Sequence, residues 1–141
     1  MTTTQGTKLL DQYSVTDLQR LYSLSLATPE KAESVTAERD LIVYRNKSIT
    51  LSLTNGTISK YRDLIIFGEL IIKSAKEELP RGRLEARNII QPGHLDITHI
   101  ELSAKYHTIF HGLASFQQEL LHRLNKSTTS QASSTTTEQK Q

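Results

Sequence analysis

Two stretches of the chain place apolar residues at alternating steps of three and four. This spacing keeps one side of an α-helix facing a partner helix, as in coiled coils. The apolar positions are Ile58, Tyr61, Ile65, Gly68, Ile72, Ala75 and Leu79 in the first stretch, and Leu102, Tyr106, Ile109, Leu113, Phe116 and Leu120 in the second. The pattern predicts two long helices, over residues 57–79 and 96–125, that pack as a helical hairpin or within a bundle.

The middle of the first stretch is apolar on nearly every side. Residues 64–72 contain only Gly68 and Glu69 as interruptions. A helix that is apolar all round is a buried one, so this segment predicts a central helix that touches several neighbours. Pro80 is expected to end it.

Signals for helix starts occur earlier in the chain. Residues 7–27 predict a helix with a candidate break near Ser14, where Ser14 followed by Asp17 fits an N-cap with an acidic residue in the first turn. Thr28, Pro29 and Glu30 fit the start of a further helix that runs to about Asn46. Together with the two heptad segments, these signals predict an all-α fold of three to four helices.

Residues 48–61 leave two interpretations open. Ile49, Leu51 and Leu53 alternate with polar residues, and Asn55-Gly56 is a strong turn dipeptide, so a small β-hairpin fits. An isolated hairpin is only marginally stable in water, which favours a helix–loop junction instead. No internal repeat is visible in the sequence.

Composition divides the 141 residues into three segments. Residues 1–6 are polar, and residues 127–141 are rich in Ser, Thr and Gln. Such segments offer too little apolar surface to offset the entropy lost on ordering, so both are predicted to be disordered. Residues 7–126 then form one helical domain.

The chain has no Cys and a net charge of +2. The absence of Cys excludes a disulfide scaffold, and the small net charge gives little support for nucleic-acid binding. No apolar run approaches the roughly 20 residues of a membrane span, and the N-terminus does not resemble a signal peptide. We therefore expect a cytoplasmic or nuclear protein without a membrane span.

The sequence contains no recognisable catalytic motif. It lacks a Gly-rich phosphate loop, a Cys nucleophile and a Ser nucleophile elbow, so we expect no enzyme, no catalytic residues, no cofactor and no metal site. A basic cluster of Arg81, Arg83 and Arg87 is a candidate anion-binding segment. It supports an alternative function as a nucleic-acid-binding accessory protein.

The leading hypothesis is a non-enzymatic scaffold subunit of a multiprotein complex. Its partners would be other helical subunits, because large apolar side chains at heptad positions dominate helix association. The predicted partner-binding residues are Ile65, Phe67, Ile72, Ile109, Leu113, Phe116 and Leu120. Self-assembly into a coat-like or filament-like helical structure is a further alternative, and the sequence does not choose between homo-oligomer and hetero-oligomer.

Overall fold

The computed structural model describes residues 9–30, 33–35, 39–74, 76 and 79–135. It is 44% strand and 27% helix, so the predicted all-α class is wrong. The two long helices are α1 (Val15–Leu26) and α2 (Leu113–Thr135), and residues 9–11 form a single helical turn before α1. The strands are β1 (Glu33–Val35), β2 (Leu41–Val43), β3 (Ser48–Ser52), β4 (Ile58–Ile66), β5 (Glu69–Lys73), β6 (Gly82–Gln91), β7 (His94–Thr98) and β8 (Ile100–Ile109).

From β2 onward, successive strands alternate between two sheets. The larger sheet has the order β1-β2-β4-β6-β8, and the smaller sheet has the order β3-β5-β7. Every pairing from β2 onward is parallel, whereas β1 pairs antiparallel with the outer edge of β2. The chain therefore winds as a β-solenoid, in which each rung contributes a strand to both sheets and stacks on the rung before it.

The space between the two sheets, here called the lumen, holds one apolar core. Side chains from alternate strand positions fill it, because successive residues of a strand point to opposite faces. Its buried members are Leu41, Val43, Leu64, Ile66, Leu70, Ile72, Leu84, Ala86, Ile89 and Ile100.

A second core lies on the outer face of the larger sheet. Here Ile42, Ile65 and Ile90 project away from the lumen and are covered by the two helices. The helices contribute Leu18 and Leu21 from α1 and Phe116 and Leu120 from α2. The larger sheet is thus buried on both faces in its central strands, and Leu64, Ile65 and Ile66 are all buried.

This double burial explains why the helix predicted over residues 57–79 is wrong. The helix predicted over residues 96–125 is wrong where the chain forms β7 and β8, whereas residues 113–125 are helical. A strand buried on both faces reads as a continuous apolar run, which periodicity alone does not separate from a buried helix. Residues 57–79 contain β4 and β5, and residues 96–125 contain most of β7, all of β8 and the first half of α2. There is accordingly no coiled coil and no helical bundle in the described part of the chain.

Two further predicted elements differ. Residues 48–61 form neither a hairpin nor a helix, because β3 and β4 belong to different sheets. The segment predicted as a helix from Pro29 to Asn46 contains β1 and β2. By contrast, α1 begins as predicted: Ser14 is its N-cap, and its Oγ accepts a hydrogen bond from the Asp17 backbone N–H at 3.1 Å.

The predicted terminal segments are only partly covered. Residues 1–6 lie outside the described residues, as do residues 136–141. The backbone of α2 continues to Thr135, inside the segment 127–141 for which disorder is predicted. No helix in the described part of the chain has the length and apolar character needed to cross a membrane.

Successive rungs repeat in sequence as well as in structure. Residues 63–72 (DLIIFGELII) stack in register on residues 88–97 (NIIQPGHLDI), an offset of 25 residues. Gly68 and Gly93 occupy the same tight turn in these two rungs. The expectation that the sequence has no internal repeat is therefore wrong.

A Cβ on Gly93 would overlap the carbonyl oxygens of Phe67 and Gly68, so only glycine fits there without a shift.

The long strands of the larger sheet bend at one shared level. The ladder between β4 and β6 lacks the pair Arg62–Arg87, and that between β6 and β8 lacks Arg87–Lys105. Ala86 and Ile89, three residues apart, both lie in the lumen core, so the alternation of faces is interrupted here. The bend therefore stacks Arg62, Arg87 and Lys105 along one corner of the solenoid.

Candidate functional site

The last rung leaves the solenoid open at one end. In the part of the chain that the structure describes, β7 and β8 are the terminal strands of their sheets, and nothing pairs with their outer edges. Open strand edges present backbone N–H and C=O groups that can pair with another chain, and native proteins usually cover or blunt them. This end of the molecule is therefore the first candidate for a functional surface.

Lumen positions become exposed at this end. Ile72 is 0% exposed, whereas Ile97, its register partner on β7, is 46% exposed. Leu84 is likewise buried, and its register partner on β8, Leu102, is only half-buried. The open end thus offers an apolar surface framed by two strand edges. Ile97 is not among the predicted partner-binding residues, although the 25-residue repeat aligns it with Ile72.

Polar groups also line the open edge. Glu101 and Lys105 are exposed on β8 and lie symmetrically about Ser103. His107 is half-buried, and its Nε2 lies 2.8 Å from Oε1 of Gln91. Burial lowers the pKa of the His107 imidazole, so this ring is uncharged at neutral pH.

The predicted partner-binding residues fall into three places. Ile65, Phe67, Phe116 and Leu120 come together in the core between the larger sheet and the helices, where the rings of Phe67 and Phe116 lie 5.8 Å apart. Leu113 is half-buried against the same core. Ile72 lies in the lumen core. The remaining predicted residue, Ile109, is 43% exposed at the end of β8 and so belongs to the open end.

The basic segment is not a single patch. Arg83 is held by two carboxylates: its Nε donates to Glu85 at 2.7 Å and its Nη1 to Glu101 at 3.1 Å. Arg87 is exposed at the bend, on a different part of the rung, and Arg81 precedes β6. The charge of Arg83 is therefore offset by two carboxylates, and Arg87 lies four residues further along β6.

The described residues contain no group of three or more His, Asp or Glu side chains placed to hold a metal ion. Comparison of the chain with known protein families, with curated proteins and with solved structures finds no match.

Proposed function

We propose that this protein is a non-enzymatic assembly component whose solenoid end binds the corresponding end of a second copy. The observation that carries the proposal is the pair of strand edges on β7 and β8 with exposed lumen residues between them. Solenoids normally end in a capping element with a polar outer face. An end that is apolar instead favours burial against a partner.

The cross-section of the rung favours a second copy as that partner. An open rung is a bent pair of strands with apolar positions inside, and another rung of the same shape covers it best. Stacking would extend both sheets at the usual strand spacing of about 4.8 Å and would bury Ile97, Leu102 and Ile109. A twofold arrangement would be self-complementary, as in most homodimers.

Charge along β8 supports the same partner. If two copies of β8 pair antiparallel about Ser103, Glu101 of each copy lies opposite Lys105 of the other. Directly opposed unlike charges stabilise a strand pair, and like charges destabilise it. The charges on β8 are therefore complementary to those on an antiparallel second copy of β8.

The test is the oligomeric state of the full chain, measured by size exclusion with light scattering over a range of concentrations. We expect the wild type to form a dimer, or a larger species if the other end of the solenoid also associates. Ile97→Lys should produce a monomer, because stacking would bury its charge. The matched control is Ile58→Lys: Ile58 is 57% exposed on β4, away from the last rung.

A folded wild type that stays monomeric at every concentration would overturn the proposal. So would a dimer that Ile58→Lys and Ile97→Lys weaken equally. Far-UV circular dichroism on each variant confirms that it folds, and since Ile97 is already exposed in the free chain, its substitution should leave the fold intact.

A further inference from the structure

A polar cleft of about 420 Å³ lies between the start of α1 and the bend of the solenoid. Its lining is polar and charged, whereas the open end is apolar. Its polar lining comes from Gln12, Tyr13, Asp17 and Arg20 on the α1 side and from Arg62, Asp63, Arg87 and Asn88 on the solenoid side, so three arginines face two aspartates. A volume of this size is within the range of small-molecule sites. The bend creates this cleft, because it stacks Arg62 beside Arg87 on neighbouring strands.

Two of the three arginines in the cleft are available to a ligand. Arg62 is engaged, since its Nη2 donates to Asp40 at 2.6 Å and its Nε donates to the same carboxylate at 3.1 Å. Arg20 and Arg87 are exposed and form no ion pair with another described residue. Guanidinium groups bind phosphate and carboxylate groups through paired hydrogen bonds.

The floor of the cleft holds polar atoms without partners. Asn88 is 8% exposed, and its Nδ2 donates to Asp63 Oδ1 at 2.7 Å, which fixes the amide so that Oδ1 has no donor. The hydroxyl of Tyr13 is also buried without a hydrogen-bond partner in the described part of the chain. Buried polar atoms are nearly always satisfied in native proteins, so these two atoms are available to hydrogen-bond to a group that enters the cleft.

The protonation of these groups limits which ligand atoms fit. Burial, with the nearby Asp63 carboxylate, raises the pKa of the Tyr13 phenol, so it keeps its proton and can donate at neutral pH. Burial likewise raises the pKa of Asp63, against the hydrogen bond from Asn88. Asn88 Oδ1 and the Asp63 carboxylate are acceptors, and they favour hydroxyl donors over a bare anion.

We propose that this cleft binds a small phosphorylated polyol, such as a sugar phosphate. The phosphate lies between Arg20 and Arg87 at the mouth, and hydroxyl groups of the ligand donate to Asn88 Oδ1 and Asp63 on the floor. A bare phosphate satisfies only the arginines, and a neutral sugar satisfies only the floor. The ligand that carries both groups is therefore expected to bind most tightly.

The test is a titration of the full chain with glucose 6-phosphate, ribose 5-phosphate and glycerol 3-phosphate, with inorganic phosphate and glucose as partial ligands. Binding is followed by isothermal calorimetry and by amide chemical shifts of residues in the cleft. At least one of the three esters should bind about tenfold or more tightly than inorganic phosphate and than glucose.

Variants locate the site. Arg87→Ala should weaken ester binding about tenfold or more, because it removes a charged donor. The matched control is Arg83→Ala, on the same strand, since Arg83 does not line the cleft and is paired with Glu85 and Glu101. Asn88→Ala should reduce the preference for the ester over inorganic phosphate while leaving phosphate binding itself unchanged.

Two results would overturn the proposal. One is that none of the esters binds more tightly than inorganic phosphate, which would mean that the arginines bind an adventitious ion only. The other is equal weakening by Arg87→Ala and Arg83→Ala, which would mean a general charge effect. Both results are independent of the oligomeric state, so they leave the proposed assembly function standing.

Discussion

Ile72 and Ile97 occupy the same lumen position on neighbouring strands of the smaller sheet, yet their surroundings differ completely. Ile72, in the middle rung, has a rung on either side and is 0% exposed. Ile97, in the last strand of this sheet, has a rung on one side only and is 46% exposed. The comparison shows that burial in a solenoid depends on how many neighbouring rungs a residue has, and only weakly on its own identity.

The two ends of the solenoid differ in the same way. At the first end, β1 pairs antiparallel with β2 and covers part of the edge of the larger sheet. At the last end, β8 is ten residues long and no described strand covers it. A repeat protein is stable as a sum of rungs and the interfaces between them, so an uncovered last rung is the natural place for a partner.

The sharpest test of the comparison removes the same atoms at both positions. Ile72→Ala should lower the free energy of unfolding by about 2–5 kcal/mol, because it leaves a cavity in a packed core. Ile97→Ala should cost under about 1 kcal/mol in the free chain, since its side chain is half in water already. Urea denaturation at low protein concentration measures both, and equal costs would show that the two rungs are equally buried.

A smaller effect is expected in the turns that join the sheets. Gly93→Ala should destabilise the chain by about 1–3 kcal/mol, because the new Cβ overlaps the carbonyl oxygens of the turn below. Gly82→Ala is the control, since its Cβ would lie 3.0 Å from Leu53 Cβ and 3.1 Å from Thr54 O, a milder crowding. Thermal unfolding of both variants ranks them, and a larger loss for Gly82→Ala would contradict the stacked-turn explanation.

The sequence predicts the helical start of the chain better than its middle. The Ser14 cap of α1 is a local signal, formed by residues three apart, and it is found as predicted. The lumen strands are defined by contacts between residues about 25 apart, which a helical period does not detect. Since β4 is buried on both faces, its residues Leu64 to Ile66 resemble a buried helix in any local window.

The surfaces proposed above were predictable to different degrees. Residues 63–72 and 88–97 share only a weak similarity, and aligning them at the 25-residue offset of the rungs would have placed Ile97 in a solenoid rung. The polar cleft was not predictable in this way. It depends on a bend that sets Arg87 beside Arg62 and on α1 lying against that bend, and a list of basic residues grouped Arg87 with Arg83 instead.

The smallest predicted effect concerns pH and His107 in the last rung. Burial lowers the pKa of this imidazole below its usual value of 6.5, so the unfolded chain takes up its proton at a higher pH than the folded chain does. The uncharged His107 ring makes its full contribution to the free energy of unfolding above pH 6.5. This contribution is lost as the pH falls below 6.5 toward the lower pKa of the folded chain. Between pH 7 and pH 5, wild type should therefore lose more stability than His107→Gln.

The difference in pH-dependent stability between wild type and His107→Gln also tests whether two copies stack through the last rung. At protein concentrations at which copies associate through β8, a second copy would remove further water from His107 and steepen the pH dependence. Thermal unfolding of wild type and His107→Gln at low and high concentration measures this change. A difference between the two proteins that is the same at both concentrations would place the interface elsewhere than the last rung.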